Sequence, residues 1–408
     1  MSTSAAHHLS PAFPERAAWG TAPKLRAWQE GALAAYLERS AAGEKDFLTV
    51  ATPGAGNSIA ALDLSIPASG RLQDRLASRA RTGLPSRSTM RASTPGTILP
   101  TELSLRGRVR GCAVTPDGKH LVTGSSDKLV RLWDLRTGAE VLRFVGHTGS
   151  VNACEMLPDG QHLITAAADK TLVLWDLRTG TDVMRFFGHT QAVDACAVSA
   201  DGRRLLSGGH DKSLRLWDLA TRARRLAWTA HAQWINACAF SPCGRWLVTA
   251  AADGGLRRWD LAVDEALWER WLNDARPLPP DAAARLLAPL DLAGHARSVN
   301  HVAYAPDGRL LVSASSDRTL CLWDATSGEP LRRLSGHLEE VNGCSVSPDG
   351  ARLASVSGDG GIRTWRLPSG EPALALHVDG PLFACAWVGN GRLAATGGRG
   401  VYLFDVPD

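Results

Sequence analysis

Apolar and polar positions along residues 101–408 fall into short runs broken by turn residues, and the same order of runs returns at a fixed distance. In one stretch, Val151–Leu157 is followed by Pro158-Asp159-Gly160, then His162–Ala166, Asp169-Lys170 and Thr171–Trp175, and a fourth run covers Val183–Phe187. Apolar runs this short, separated by turn chemistry, predict β-strands rather than helices. Pro presets φ and Gly accepts a positive φ, so Pro158-Asp159-Gly160 predicts a tight turn. The tryptophans mark the period. Trp133, Trp175, Trp217 and Trp259 lie 42 residues apart, Trp323 follows after 64, Trp365 after another 42, and Phe404 closes the series at 39. Asp follows the aromatic in six of the seven copies, Arg366 being the exception. A single four-stranded unit cannot cover both of its faces, whereas seven of them stacked about an axis can. The pattern therefore predicts an all-β, seven-bladed β-propeller.

Gly-His or a remnant of it precedes six of the copies: Gly146-His147, Gly188-His189, Ala230-His231, Gly294-His295, Gly336-His337 and a lone His377. With Gly-His followed by Trp-Asp at this period, residues 101–408 resemble the WD-repeat family. The last copy ends after its third strand, and an orphan run, Thr101–Leu105, precedes the first. That run is expected to pair with the third strand of the last blade, because a missing outer strand leaves an exposed edge. The resemblance implies the same closure.

His, Ser/Thr, Asp and Trp recur as sets: His147, Thr165, Asp169, Trp175; His189, Ser207, Asp211, Trp217; His231, Thr249, Asp253, Trp259; His295, Ser313, Asp317, Trp323; His337, Ser355, Asp359, Trp365. They invite a hydrolase reading, but an active site is not normally copied five times at one period. The resemblance implies a hydrogen-bonded tetrad inside each blade, which would satisfy buried polar groups. The first blade lacks the His, and the last has Ala395 near the Ser position. Cysteine follows the repeat as well. Cys112, Cys154, Cys196, Cys238, Cys344 and Cys385 share one position on the first strand, with Val302 in the fifth blade. Free Cys in a small apolar slot acts as a hydrophobe. No Cys-x-x-Cys occurs, so a reduced, cytoplasmic protein with neither metal nor cofactor is expected.

One rim carries the loop entering the first strand. Register places Arg110, Asn152, Asp194, Asn236, Asn300, Asn342 and Phe383 in a ring there, with Arg108 and Trp234 just ahead of their ring neighbours. The resemblance implies that this rim binds peptides and partner domains. Trp and Arg are common interface anchors, so Trp234, Arg108 and Arg110 are the leading candidates, whereas the Asn side chains are equally suited to holding backbone turns. The extra 22 residues after the fourth blade predict a helical insertion at about 263–288 carrying Trp268 and Trp271.

Composition sharpens the ends of the chain. Of 408 residues, 44% are hydrophobic, enough for a core, and no stretch reaches membrane-spanning length. The first thirty residues do not read as a secretory signal. The net charge of +4 resides entirely in residues 1–100, which hold 11 Lys/Arg against 7 Asp/Glu. The Ala- and Arg-rich usage suggests a bacterial source. Residues 1–19 read as a disordered tail and 59–100 as an Arg/Ser-rich linker, able to touch nucleic acid only weakly. Between them, Pro23–Gln29, a strand at Asp46–Val50 and Ala51-Thr52-Pro53-Gly54-Ala55-Gly56-Asn57-Ser58 resemble the start of a DExD/H-box helicase. Asn57 stands where the phosphate loop needs Lys, and a neutral amide supplies no cation for the phosphates. Residues 20–58 are therefore expected to lack ATPase activity.

Together these features predict a monomeric, non-catalytic scaffold for protein or peptide partners. A nucleic-acid-associated factor and a small-ligand or catalytic site in the propeller channel stand as alternatives.

Overall fold

A computed structural model describes residues 48–50, 101–104, 107–221, 223–261 and 288–407. Seven sheets carry the repeat, and in the first six the four strands of the repeat are consecutive and antiparallel, in the order first to outermost. The first blade consists of Val109–Val114, His120–Ser125, Val130–Asp134 and Glu140–Phe144, and the second of Val151–Met156, His162–Ala167, Leu172–Asp176 and Asp182–Phe186. These bounds fall within a residue or two of the apolar runs. The turn glycine Gly160 has φ of 65°, as the Pro-Asp-Gly turn requires. The predicted helical insertion, the tail, the linker and the phosphate-loop residues lie outside the described residues.

The blades close into a ring as the orphan run predicts. Thr101–Ser104 pairs antiparallel with Gly400–Asp405, from Thr101 opposite Leu403 to Ser104 opposite Gly400. The segment just before the first blade therefore supplies the outer strand of the last blade. The strand expected near Asp46–Val50 is also present, as Leu48–Val50. It adds a fifth, parallel strand to the outer edge of the sixth blade, with Leu48 opposite Ala375 and Val50 opposite His377.

The core consists of seams between blades, not of layers within one. One seam joins Val122, Val130, Leu132 and Phe144 of the first blade to Val151, Cys154, Leu163, Val173 and Trp175 of the second. Another joins Leu121, Trp133 and Leu135 of the first blade to Ala394, Val401 and Leu403 of the seventh. The repeated tryptophans lock the seams. Trp175 meets Phe144 of the preceding blade edge-on at 5.6 Å, and Trp217 meets Phe186 at 5.4 Å. Such aromatic pairs contribute about 0.5–1.5 kcal/mol beyond their area. The thiols of the shared first-strand position are free, and burial pushes those of Cys112 and Cys344 up to about 12, so they pack as hydrophobes.

Removing residues 101–105 strips the outer strand from the seventh blade and uncovers its edge. The deletion should lower the apparent Tm by about 5 °C or more in a thermal melt; an unchanged melt would contradict closure through this strand.

Candidate functional site

The ring foreseen at one rim owes its geometry to a β-bulge. In every blade the pairing of first and second strands slips by one residue at its start, for example between Val151 and Ala153 and between Val193 and Ala195. The same slip occurs at Val109/Gly111, Ile235/Ala237, Val299/His301, Val341/Gly343 and Leu382/Ala384. The residue left out of the ladder is in turn Arg110, Asn152, Asp194, Asn236, Asn300, Asn342 or Phe383. A bulge re-aims its extra side chain. Here all seven line the mouth of the central channel.

All four asparagines of the ring use their amides on the neighbouring blade. The Nδ2 groups of Asn152, Asn236, Asn300 and Asn342 donate to the main-chain oxygens of Val193, Val299, Val341 and Leu382, at 2.8–3.2 Å. Each acceptor is the residue that opens the next blade's first strand. These side chains stitch adjacent blades together at the mouth, so their donors are committed within the ring.

The remaining ring residues gather differently. Asp194 accepts from Asn152 Nδ2 at 2.7 Å and meets His210 Nε2 at 2.5 Å. His210 in turn stacks on Trp234, with ring centroids 4.3 Å apart and planes 8° from parallel. Trp234 stays 48% exposed, which makes it the largest apolar side chain displayed on this rim. Burial pushes the Asp194 carboxyl upward, opposed by His210, Arg110 and Asn152. Arg108 and Arg110 are exposed, and the Arg108 main chain is pinned by Ser126 Oγ at 2.8 Å. The sequence pattern singled out Trp234 but passed over His210. The signal was there: the equivalent turn residues are Ser126, Ala168, Ala252, Ser316, Gly358 and Gly398, all small.

The His, Ser/Thr, Asp and Trp sets form closed chains inside the blades. In the second blade Trp175 Nε1 donates to Thr165 Oγ1 at 2.7 Å, Thr165 lies 2.8 Å from His147 Nε2, and His147 Nδ1 lies 2.8 Å from Asp169. With the indole donating to the hydroxyl, the network is satisfied when the hydroxyl donates to Nε2 and Nδ1–H donates to the carboxylate. Asp169 also takes the main-chain N–H of Thr148. Trp217, Ser207, His189 and Asp211 repeat the chain, as do Trp323, Ser313, His295 and Asp317. Burial pulls His189, His231, His295 and His337 below the usual imidazole value, so they sit neutral. Burial opposes the charge on Asp169 and Asp211 too, but hydrogen bonds from His147 and Thr171, and from His189 and Ser213, outweigh it. Both carboxyls end well below their usual range. The donors and acceptors of each set are thus turned inward on one another.

The expected five complete chains are corrected in one blade. His337 reaches Ser355 at 2.8 Å, but its Nδ1 stands 3.8 Å from Asp359 and makes no hydrogen bond. The cause lies two residues beyond the Asp. Thr171, Ser213 and Thr319 each donate a hydroxyl to the first oxygen of their Asp, at 2.6–2.7 Å, and there the His–Asp distance is 2.8–2.9 Å. Gly255 and Gly361 hold that place in the fourth and sixth blades, where the distance grows to 3.3 and 3.8 Å. The hydroxyl orients the carboxylate and is a fifth member of the chain.

Gly361→Thr should close the sixth chain. An added Cβ comes within 2.6 Å of Asp359 Oδ1, so that carboxylate must shift, and the threonine hydroxyl supplies the donor that Thr171 gives Asp169. The variant should gain about 0.5–1.5 kcal/mol, read as a rise of a few degrees in apparent Tm; a lower Tm would contradict the orienting role.

The model for the WD domain, G-beta repeat, matches residues 100–134, 138–176, 180–218, 224–260, 289–324 and 328–366, more than half of the chain. Shorter stretches are similar to curated proteins. Identity is 45% over 47 residues to cilia- and flagella-associated protein 52 of Sus scrofa, covering 12% of this chain and 8% of that one. It is 53% over 38 residues to ribosome assembly protein 4 of Saccharomyces cerevisiae, covering 9% and 7%. It is 44% over 45 residues to eukaryotic translation initiation factor 3 subunit I of Chaetomium globosum, covering 11% and 13%. The chain thus spans only a small fraction of the length of these relatives. No helix among the described residues is long and apolar enough to cross a membrane. Six repeats matched in sequence, and seven blades built on one hydrogen-bonding scheme, establish that the chain belongs to the WD-repeat family.

Proposed function

We propose that this protein is a non-catalytic scaffold that binds protein or peptide partners through the rim bearing Trp234. The observation that carries this reading is the exposed indole of Trp234, stacked on His210 and anchored through Asp194. An aromatic held in its bound orientation loses little rotational freedom on docking, so more of its contact energy reaches affinity. Arg108 and Arg110 add two exposed cations to the same rim, where bidentate donors recognise carboxylates. Relatives named for ribosome assembly and for a translation initiation factor subunit support a role in assemblies rather than in catalysis. The recurring His, Ser/Thr and Asp sets favour the same reading, because the complete ones are spent inside their blades. A cytoplasmic setting and a monomeric ring complete the proposal, in keeping with eight free cysteines.

The test is affinity capture with the full chain, followed by binding measurements on the proteins retained. Trp234→Ala combined with Arg110→Glu should weaken their binding at least about tenfold. Val141→Ser, at an exposed position on the outer strand of the first blade, should leave it unchanged. Equal binding by the rim variant and the wild type would refute the assignment.

A further inference from the structure

The sevenfold repeat supplies an internal standard for the channel wall, and two residues depart from it. Two wall positions after the mouth are small in nearly every blade. At the third residue of the first strand the sequence has Gly111, Ala153, Ala195, Ala237, Gly343 and Ala384, but His301 in the fifth blade. At the fifth residue it has Ala113, Ala197, Ala239, Ala303, Ser345 and Ala386, but Glu155 in the second. Small side chains evidently suffice to build the wall, so packing alone asks for neither an imidazole nor a carboxylate.

Glu155 stands inside a channel of about 640 Å³ and has no hydrogen-bond partner among the described residues. The ionisable neighbours it influences are the thiols of Cys154, Cys196 and Cys238, not a basic group. Burial alone moves its carboxyl, up to about 7, with no cation to offset it. A carboxyl kept in such surroundings reduces stability unless something pairs with it. Three blades away, across the ring, His301 Nδ1 lies 3.5 Å from Cys344 Sγ. Burial draws His301 down to about 4, so it stays neutral and can hydrogen-bond a polar group within the channel.

We propose that the channel binds a small organic cation, an ammonium or guanidinium head on an apolar body, with the Glu155 carboxylate as its counter-ion. The Ala, Gly, Cys and Val side chains of the wall cover the body, and His301 takes a polar group at its far end. The volume matches small-ligand cavities, which run from about 300 to 1,000 Å³. A divalent metal ion does not fit this donor set, because no group of three or more His, Cys, Asp or Glu among the described residues could hold one. The ligand is a free molecule rather than a side chain of a peptide lying on the rim. Glu155 is three residues below the mouth residue Asn152, about 10 Å along the strand. A lysine stem of about 6 Å on a backbone held above the mouth falls short of that depth, even toward a Glu side chain about 4 Å long.

The full-length protein should be titrated calorimetrically with pentylamine, agmatine, neutral 1-pentanol and a blocked pentapeptide centred on arginine. At least one free amine should bind saturably, and 1-pentanol and the peptide at least about tenfold more weakly. Glu155→Ala, which restores the wall residue of the other blades, should abolish amine binding and raise the apparent Tm without ligand. Glu155→Gln should also abolish it. The proposal falls if neither amine binds the wild type, if Glu155→Ala binds amines equally well, or if the peptide binds more tightly than the free amines. Because Trp234 and Arg110 are untouched in these variants, failure here leaves the rim assignment to be judged by its own capture experiment.

Discussion

A blade of this chain is apolar on both faces, and only another blade can cover them. Every other feature follows from that constraint. Trp175 is packed against Phe144 of the preceding blade, Trp217 against Phe186, and Trp259 against Trp228. Each seam therefore needs both of its neighbours, and a chain of seams is stable only when the last blade meets the first. The strand Thr101–Ser104 meets that need by completing the seventh blade from the opposite end of the repeat. Closure also covers the edge of Gly400–Asp405 that a missing outer strand would leave exposed.

Burying an indole in a seam creates a second requirement, because its N–H must find an acceptor. The hydroxyls of Thr165, Ser207, Thr249, Ser313 and Ser355 meet it, and each passes the demand on to a buried imidazole, which in all but the sixth blade passes it to an aspartate. The chain ends on main-chain N–H groups of the loop that enters the first strand, such as those of Thr148 and Thr190. Core packing is thereby connected to the position of the rim. The asparagines at the bulges add a lateral link from blade to blade. Trp234 and His210 stand on this doubly fixed rim, where the fourth blade meets the third.

Much of this was legible in the sequence. The 42-residue spacing of the tryptophans gave the blade count, the Pro-Asp-Gly turns gave the strand breaks, and the orphan Thr101–Leu105 run gave the closure. The tetrads were legible because their members keep register with Trp. What was not legible depends on distances that no spacing encodes. The amide of Asn342 reaches a carbonyl forty residues away only because the bulge turns it sideways. The part played by Thr171, Ser213 and Thr319 emerges only when His–Asp distances are compared between blades. His210, Glu155 and His301 were open to a stricter reading of the repeat, in which the informative residues are those that break a column of small side chains.

The polar chains inside the blades hold the rim in place, and hydrogen exchange tests this most directly. His231→Leu removes the imidazole between Thr249 and Asp253 in the blade that carries Trp234. Amide exchange measured by mass spectrometry should accelerate in the loop from Ala230 to Trp234 and in the turn from Ala251 to Gly255, with the distant blades unchanged. Unaltered protection in that loop and turn would contradict the claim.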